Sequence, residues 1–344
     1  MNSFPLKRPL GPAKVLSIST ILLVLLFLTI LFSLSAGTAE VSLGQVMKLL
    51  SGRGGDLDTA GLIIFKIRLP RIILAGLVGF SLSIGGVVFQ ALLRNPLADP
   101  FILGVSSGGA FGAVVGIIFG FGFRFGIPVM AFGGSLLTVF MVMIVGKRGM
   151  GMESSTILLT GVIINAFFTA IIMFFISSAV DDRLHSMLFW LYGDLSQSYY
   201  TQSAIIMPVV LVAFMVLYRF SRHLNIITAG EDTALQLGVD VEKAKKLSFL
   251  VVSLSIGLVV SFSGLIGFVG LIIPHLARMA WGSDHRLLIP VSAIGGAIFL
   301  IVSDTIARTI ISPSELPVGV ITAFIGAPFF IYLLRSRNSK WNHS

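Results

Sequence analysis

The chain has 344 residues, of which 56% are hydrophobic and only 11% charged, with a mean hydropathy of +0.99. Soluble domains carry about a quarter charged residues, so an ordinary globular enzyme, a coiled coil and a disordered chain are excluded. The 24 Lys and Arg against 15 Asp and Glu give +9, an excess that in so apolar a chain orients it against anionic lipid rather than marking nucleic acid.

Apolar runs of about 20 residues, enough to cross roughly 30 Å of hydrocarbon, predict membrane-spanning helices. They lie at 15–36, 71–93, 100–120, 127–146, 155–178, 203–219, 247–263, 265–280, 287–307 and 318–334, which makes ten spans in an all-α polytopic membrane protein. The first run is longer than the apolar core of a secretory signal, about 7–15 residues, and reads as a retained span behind Lys7, Arg8 and Lys14. Ser263-Gly264 is the only break between the seventh and eighth. With both termini in the cytoplasm, sixteen of the 24 Lys and Arg fall inside, as the positive-inside rule asks. The exception is one outer loop holding Lys48, Arg53, Lys66, Arg68 and Arg71. Residues 1–344 read as one membrane domain with cytoplasmic tails at 1–14 and 335–344.

Gly108, Gly112, Gly116 and Gly120 recur every four residues, a stripe along which another helix can approach closely. Arg68-Leu69-Pro70-Arg71 precedes the second span, with Pro70 where a helix start tolerates it, and Arg308 marks another outer helix end. These arginines form a positive outer patch suited to carboxylates of an external partner. Asp304 is the clearest charge within a span, and Arg308 four residues on is placed to neutralise it. The turn from Gln90 to Pro100 holds Asn95 extended before Pro96 and feeds Gly104-Val105-Ser106-Ser107-Gly108-Gly109. Irregular polar backbone at this depth packs in protein or lines a water-filled path, so the turn reads as a gate. Ser154, Ser155 and Thr156 are a second polar cluster at the cytoplasmic start of span five.

The longest charged inner segment, residues 230–246, opens with Gly230 to break the preceding helix and Glu231 and Asp232 to start a new one. Ala234, Leu235 and Leu237 give that helix an apolar side, and its acidic residues favour a protein partner over anionic lipid. The chain has no cysteine, no phosphate-binding G-x-x-x-x-G-K-[ST] loop and no metal-ligand spacing among its five histidines, so no catalytic residue, metal or cofactor is expected. Titratable groups within spans are scarce, which argues against a secondary carrier working alone and places the energy source in another subunit.

These stretches, together with Phe189-Trp190-Leu191, Gly264 to His275, Ser283 to Arg286, Glu315 to Thr322 and Gly326 to Phe330, resemble the FecCD/BtuC-like permease family of ATP-binding-cassette importers. The motifs follow in order over roughly residues 60–335. The resemblance implies a homodimer of ten-helix subunits around a central pathway, two cytoplasmic ATP-binding subunits, and an external substrate-binding protein, in a bacterial inner membrane. It implies import of a metal chelate, with iron–siderophore the leading cargo and cobalamin or haem the alternatives. It assigns Arg68, Arg71 and Arg308 to binding-protein docking. Asn95, Leu97, Ser154 and Ser155 fall on the cytoplasmic gate, and Gly230, Glu231, Ala234, Leu237 and Gly238 on the coupling segment gripped by the ATPase. Asp194 stands where relatives commonly carry a small neutral residue.

Overall fold

The computed structural model describes residues 11–341 apart from 38, 40, 52–58, 149–150, 153 and 180. Each of the ten apolar stretches holds a helix, but the predicted span at 265–280 begins only at Val269 after irregular backbone, and that at 100–120 is α-helical only over Val105–Ile118. Seven helices are long and apolar enough to cross a membrane: α1 (Pro12–Ser35, its apolar run counted from Ala13), α3 (Thr59–Leu92), α5 (Gly126–Val145), α6 (Ser154–Ser177, counted from Thr156), α8 (Tyr200–Arg219), α11 (Val241–Ser263) and α13 (His285–Ala307). The other three stretches give shorter apolar helices: α4 (Val105–Ile118), α12 (Val269–Trp281) and the start of α14 (Val318–Trp341). At about 1.5 Å per residue, α4 and α12 reach only about 20 Å. Gly120 in left-handed backbone (φ +72°) follows the end of α4, and Pro100–Leu103 precedes it as a 3-10 turn. The remaining helices are short connectors: α2 (Leu43–Leu50), α7 (Asp181–Leu191), α9 (Ser221–Ala229) and α10 (Glu231–Gln236). Lys147–Arg148 and Gly151–Met152 pair as a two-residue antiparallel ladder.

Helix α3 is the centre of the bundle, largely buried and packed on α13, α11 and α12. Small residues make this possible. A Cβ on Gly79 would overlap the carbonyl of Gly296 in α13, and one on Gly86 would overlap that of Gly270 in α12. The predicted glycine stripe behaves likewise: Cβ atoms at Gly108 and Gly112 would overlap Thr138 and the carbonyls of Gly134 and Met130 in α5. Gly116 is in ordinary contact, and Gly120 lies beyond the interface. Hydroxyl pairs add cross-helix bonds, Ser81 with Ser255 at 2.8 Å and Ser33 with Thr305 at 2.7 Å. In α3 the backbone takes π-helical register over Ile63–Arg68, with Leu69 N–H donating to the Ile64 carbonyl. Pro70 follows at once and has no N–H to give the regular ladder.

Candidate functional site

The sequence predicts free, partner-facing guanidinium groups at Arg68, Arg71 and Arg308. The structure gathers all three where the ends of α1 and α13 meet the π-helical stretch of α3, but buries them, at 3%, 5% and 5% exposure, and satisfies them from within. Arg68 Nη1 donates to the carbonyls of Leu34 and Ser35 at 2.6 and 3.0 Å, and Nη2 to that of Ala39 at 2.6 Å. It thus caps the end of α1, whose last carbonyls have no partner within the helix. Arg71 Nε lies 2.9 and 3.0 Å from the two Asp304 oxygens, and its Nη1 donates to Glu315 at 2.6 Å. Arg308 Nη2 donates to the Ser33 carbonyl and, at 2.7 Å, to the Ser33 hydroxyl. The expected Asp304–Arg308 pair is therefore the minor contact, at 3.8 Å, because α3 faces α13 at this level and presents Arg71 closer. Of this cluster, Glu315 is the outward member, with its side chain 42% exposed.

At the far end of α3, about 35 Å away along the helix, the chain turns sharply. Arg94 adopts left-handed backbone (φ +46°), Asn95 N–H donates to the Gln90 carbonyl at 3.2 Å, and Asn95 Oδ1 accepts from Leu97 N–H at 2.9 Å. Asn95 and Leu97 are both exposed. The turn is wired to the charged segment: Glu231 Oε1 lies 3.4 Å from Arg94 Nη2 and 2.7 Å from Lys245 Nζ. Lys245, counted in the sequence as an orienting charge, is buried on this carboxylate. Gly230 (φ +139°) and Gly238 (φ +78°) break the chain on either side of α10, backbone that a Cβ would strain. Leu235 and Leu237 stand 60% and 65% exposed. Ala234 does not join that surface. It is fully buried against Ile227, Val239, Val241 and Ala244, because the following loop folds back over it.

A second connection leaves α9 for α13. Asn225 Nδ2 donates to Asp284 Oδ1 at 2.9 Å, and Asn225 Oδ1 accepts from His285 N–H at 2.8 Å. Asp284 also caps α13 through Arg286 N–H and pairs with the Arg286 guanidinium, whose hydrogen bond leads in holding this carboxyl down at about 2. Asp99 is its opposite. Burial pushes its carboxyl up to about 6, against a single Phe101 N–H at 2.7 Å. Ser154 and Ser155 lie in the first turn of α6, and their side chains are outside the described residues. Asp194 folds onto its own loop, accepting from Ser196 N–H at 2.7 Å and Ser196 Oγ at 2.8 Å.

An open cavity of about 610 Å³ lies beside the Ser106-Ser107 run. It is bounded by α4, α6, the loop before α12 and α14, with apolar walls and a few polar groups, among them Ser106, Ser107, Asn165, Thr169 and Tyr192. Its volume is in the range of small-molecule sites, which run about 300–1,000 Å³. Asn165 and Thr169, four residues apart, put two polar groups on one face in the middle of α6, and that spacing is the available signal.

Comparison with known proteins agrees with this architecture. The FecCD transport family matches over residues 24–336. The cobalamin import system permease protein BtuC of Halobacterium salinarum is 44% identical over 83% of this chain and 77% of its own length. The hemin transport system permease protein HmuU of Yersinia pestis is 36% identical over 93% and 96%. A solved structure described as a metal-chelate type ABC transporter in an inward-facing conformation superposes with a TM-score of 0.79 at 33% identity, covering 93% of this chain and 99% of that one. This chain belongs to the FecCD transport family, as a multi-pass membrane permease subunit of an ABC importer and not an enzyme in its own right.

Proposed function

We propose that the chain is one half of a homodimeric importer that moves a large metal chelate inward by alternating access, driven by two cytoplasmic ATP-binding subunits and fed by an external substrate-binding protein. The chain acts as a single domain of ten spans in a bacterial inner membrane, with both termini cytoplasmic. The observation that carries this reading is the double connection of the α9–α10 platform, through Glu231 to the turn at Arg94 and through Asn225 to the start of α13. A push on that platform reaches both the inner gate, at Asn95, Leu97, Ser154 and Ser155, and the central helix pair. The exposed Leu235 and Leu237 supply the surface the ATPase grips, while Gly230, Gly238, Glu231 and Ala234 hold it in shape.

The 610 Å³ cavity is this subunit's share of the pathway, completed by the second copy. At the outer end, Glu315 is the one exposed carboxylate on Arg71, so an incoming carboxylate of the binding protein docks by replacing it, with Arg68 and Arg308 holding the frame. Iron–siderophore is the leading cargo. Cobalamin is the second reading, favoured by the 44% identity to a cobalamin permease. The coupling assignment is tested by cross-linking. Because the chain has no cysteine, Leu235→Cys and Leu237→Cys should each cross-link to a co-expressed ATPase, whereas Ala234→Cys should not. Equal labelling of all three, or of none, contradicts the assignment.

A further inference from the structure

We propose that the groove between α1, α8 and the start of α13 is a binding site for one anionic phospholipid. The groove encloses about 510 Å³. Apolar Val15, Leu16, Phe214 and Pro290 line it together with polar Ser19, Tyr218, Arg222 and Arg286. That mixture matches a lipid, with acyl carbon against the apolar side chains and a phosphate on the cations. Two observations select this occupant. Arg222 has no ion pair among the described residues, so its charge is uncompensated there, while Arg286 engages Asp284 and still lines the groove. The Ser19 hydroxyl is buried and has no hydrogen-bond partner, a group that a ligand oxygen would satisfy. Basic pockets between spans at the cytoplasmic end suit such headgroups. Arg286 also pairs with Asp284, which holds Asn225 of α9, so the lipid would sit against the platform described above.

The site rests on the permease reading only in that it places this end among cytoplasmic headgroups. The test uses the full chain, purified in detergent and delipidated, with phosphatidylglycerol or phosphatidylcholine added and retained lipid counted by native mass spectrometry. Phosphatidylglycerol should be retained in preference. Arg222→Gln and Arg286→Gln should each weaken its binding about fivefold, the contribution of one cation near an anionic surface. Arg219→Gln, an exposed cation outside the groove, should leave binding unchanged. Ser19→Phe, which fills the groove without changing charge, should displace the lipid. Equal retention of both lipids, an Arg219 effect as large as that of Arg222, or full competition by inorganic phosphate overturns the site. Those results leave the permease reading intact, because none of them depends on transport.

Discussion

Replacing Asp304 by Leu is the sharpest test of the buried outer cluster. The substitution leaves Arg71, with a side chain 7% exposed, facing only the half-exposed Glu315, and it removes the carboxylate that Arg71 shares with Arg308. Removing one member of a buried ion pair costs about 3–5 kcal/mol, because the other charge stays desolvated. Asp304→Asn, which keeps the shape and loses the charge, should fall in the same range. The paired change Arg71→Met with Asp304→Leu should recover most of the loss, since both charges then leave together. The assay is equilibrium unfolding in detergent across wild type, both single variants and the double variant. Single costs below about 1 kcal/mol, the range of solvent-exposed pairs, would refute the claim that this cluster is an internal clamp.

Three further outcomes are expected. Asp99→Asn keeps an acceptor for Phe101 N–H but removes a carboxyl whose folded value, about 6, lies above its unfolded value near 4. Wild-type stability should therefore fall as pH rises from about 4 to 6 and stay flat above, and the variant should be more stable at pH 7.5 by on the order of 1–3 kcal/mol, with the gap closing toward pH 4. Gly112→Leu should cost about 3 kcal/mol or more by forcing α4 off the Met130 carbonyl, whereas Gly122→Ala, with open space around it, should stay within about 0.5 kcal/mol in the same unfolding assay. Glu231→Gln should lower chelate uptake per ATP hydrolysed in proteoliposomes, because the Arg94 turn and Lys245 lose their shared carboxylate; an unchanged ratio would remove the link from the account.

The helices were legible because length and hydropathy alone force them, and the Gly108–Gly116 stripe because small residues at one spacing have one packing consequence. Gly230 likewise announced the break before α10, whereas the turn at Gly238 shows only in the structure. Arg308, far along the chain from Arg68 and Arg71, is expected beside them and lies there. Their burial was not visible, because the carbonyls of Ser33, Leu34, Ser35 and Ala39 that absorb Arg308 and Arg68 are backbone groups, present at every residue and silent in side-chain identity. Lys245 is one of the charges counted inside, and its pairing with Glu231, across a loop, leaves no mark in the sequence. Four separate segments build the open cavity, so its shape is not legible in the sequence; the Ser106-Ser107 run, Asn165 and Thr169 are the traces it leaves there.

The central claim is that this chain passes a metal chelate only when a partner spends ATP. The direct measurement is uptake of labelled ferric siderophore and labelled cobalamin into proteoliposomes holding the chain with its co-expressed ATPase and its binding protein. The account predicts accumulation of one chelate that requires ATP and stops when either partner is omitted. Flux that is indifferent to ATP would contradict it and make the chain a carrier working alone.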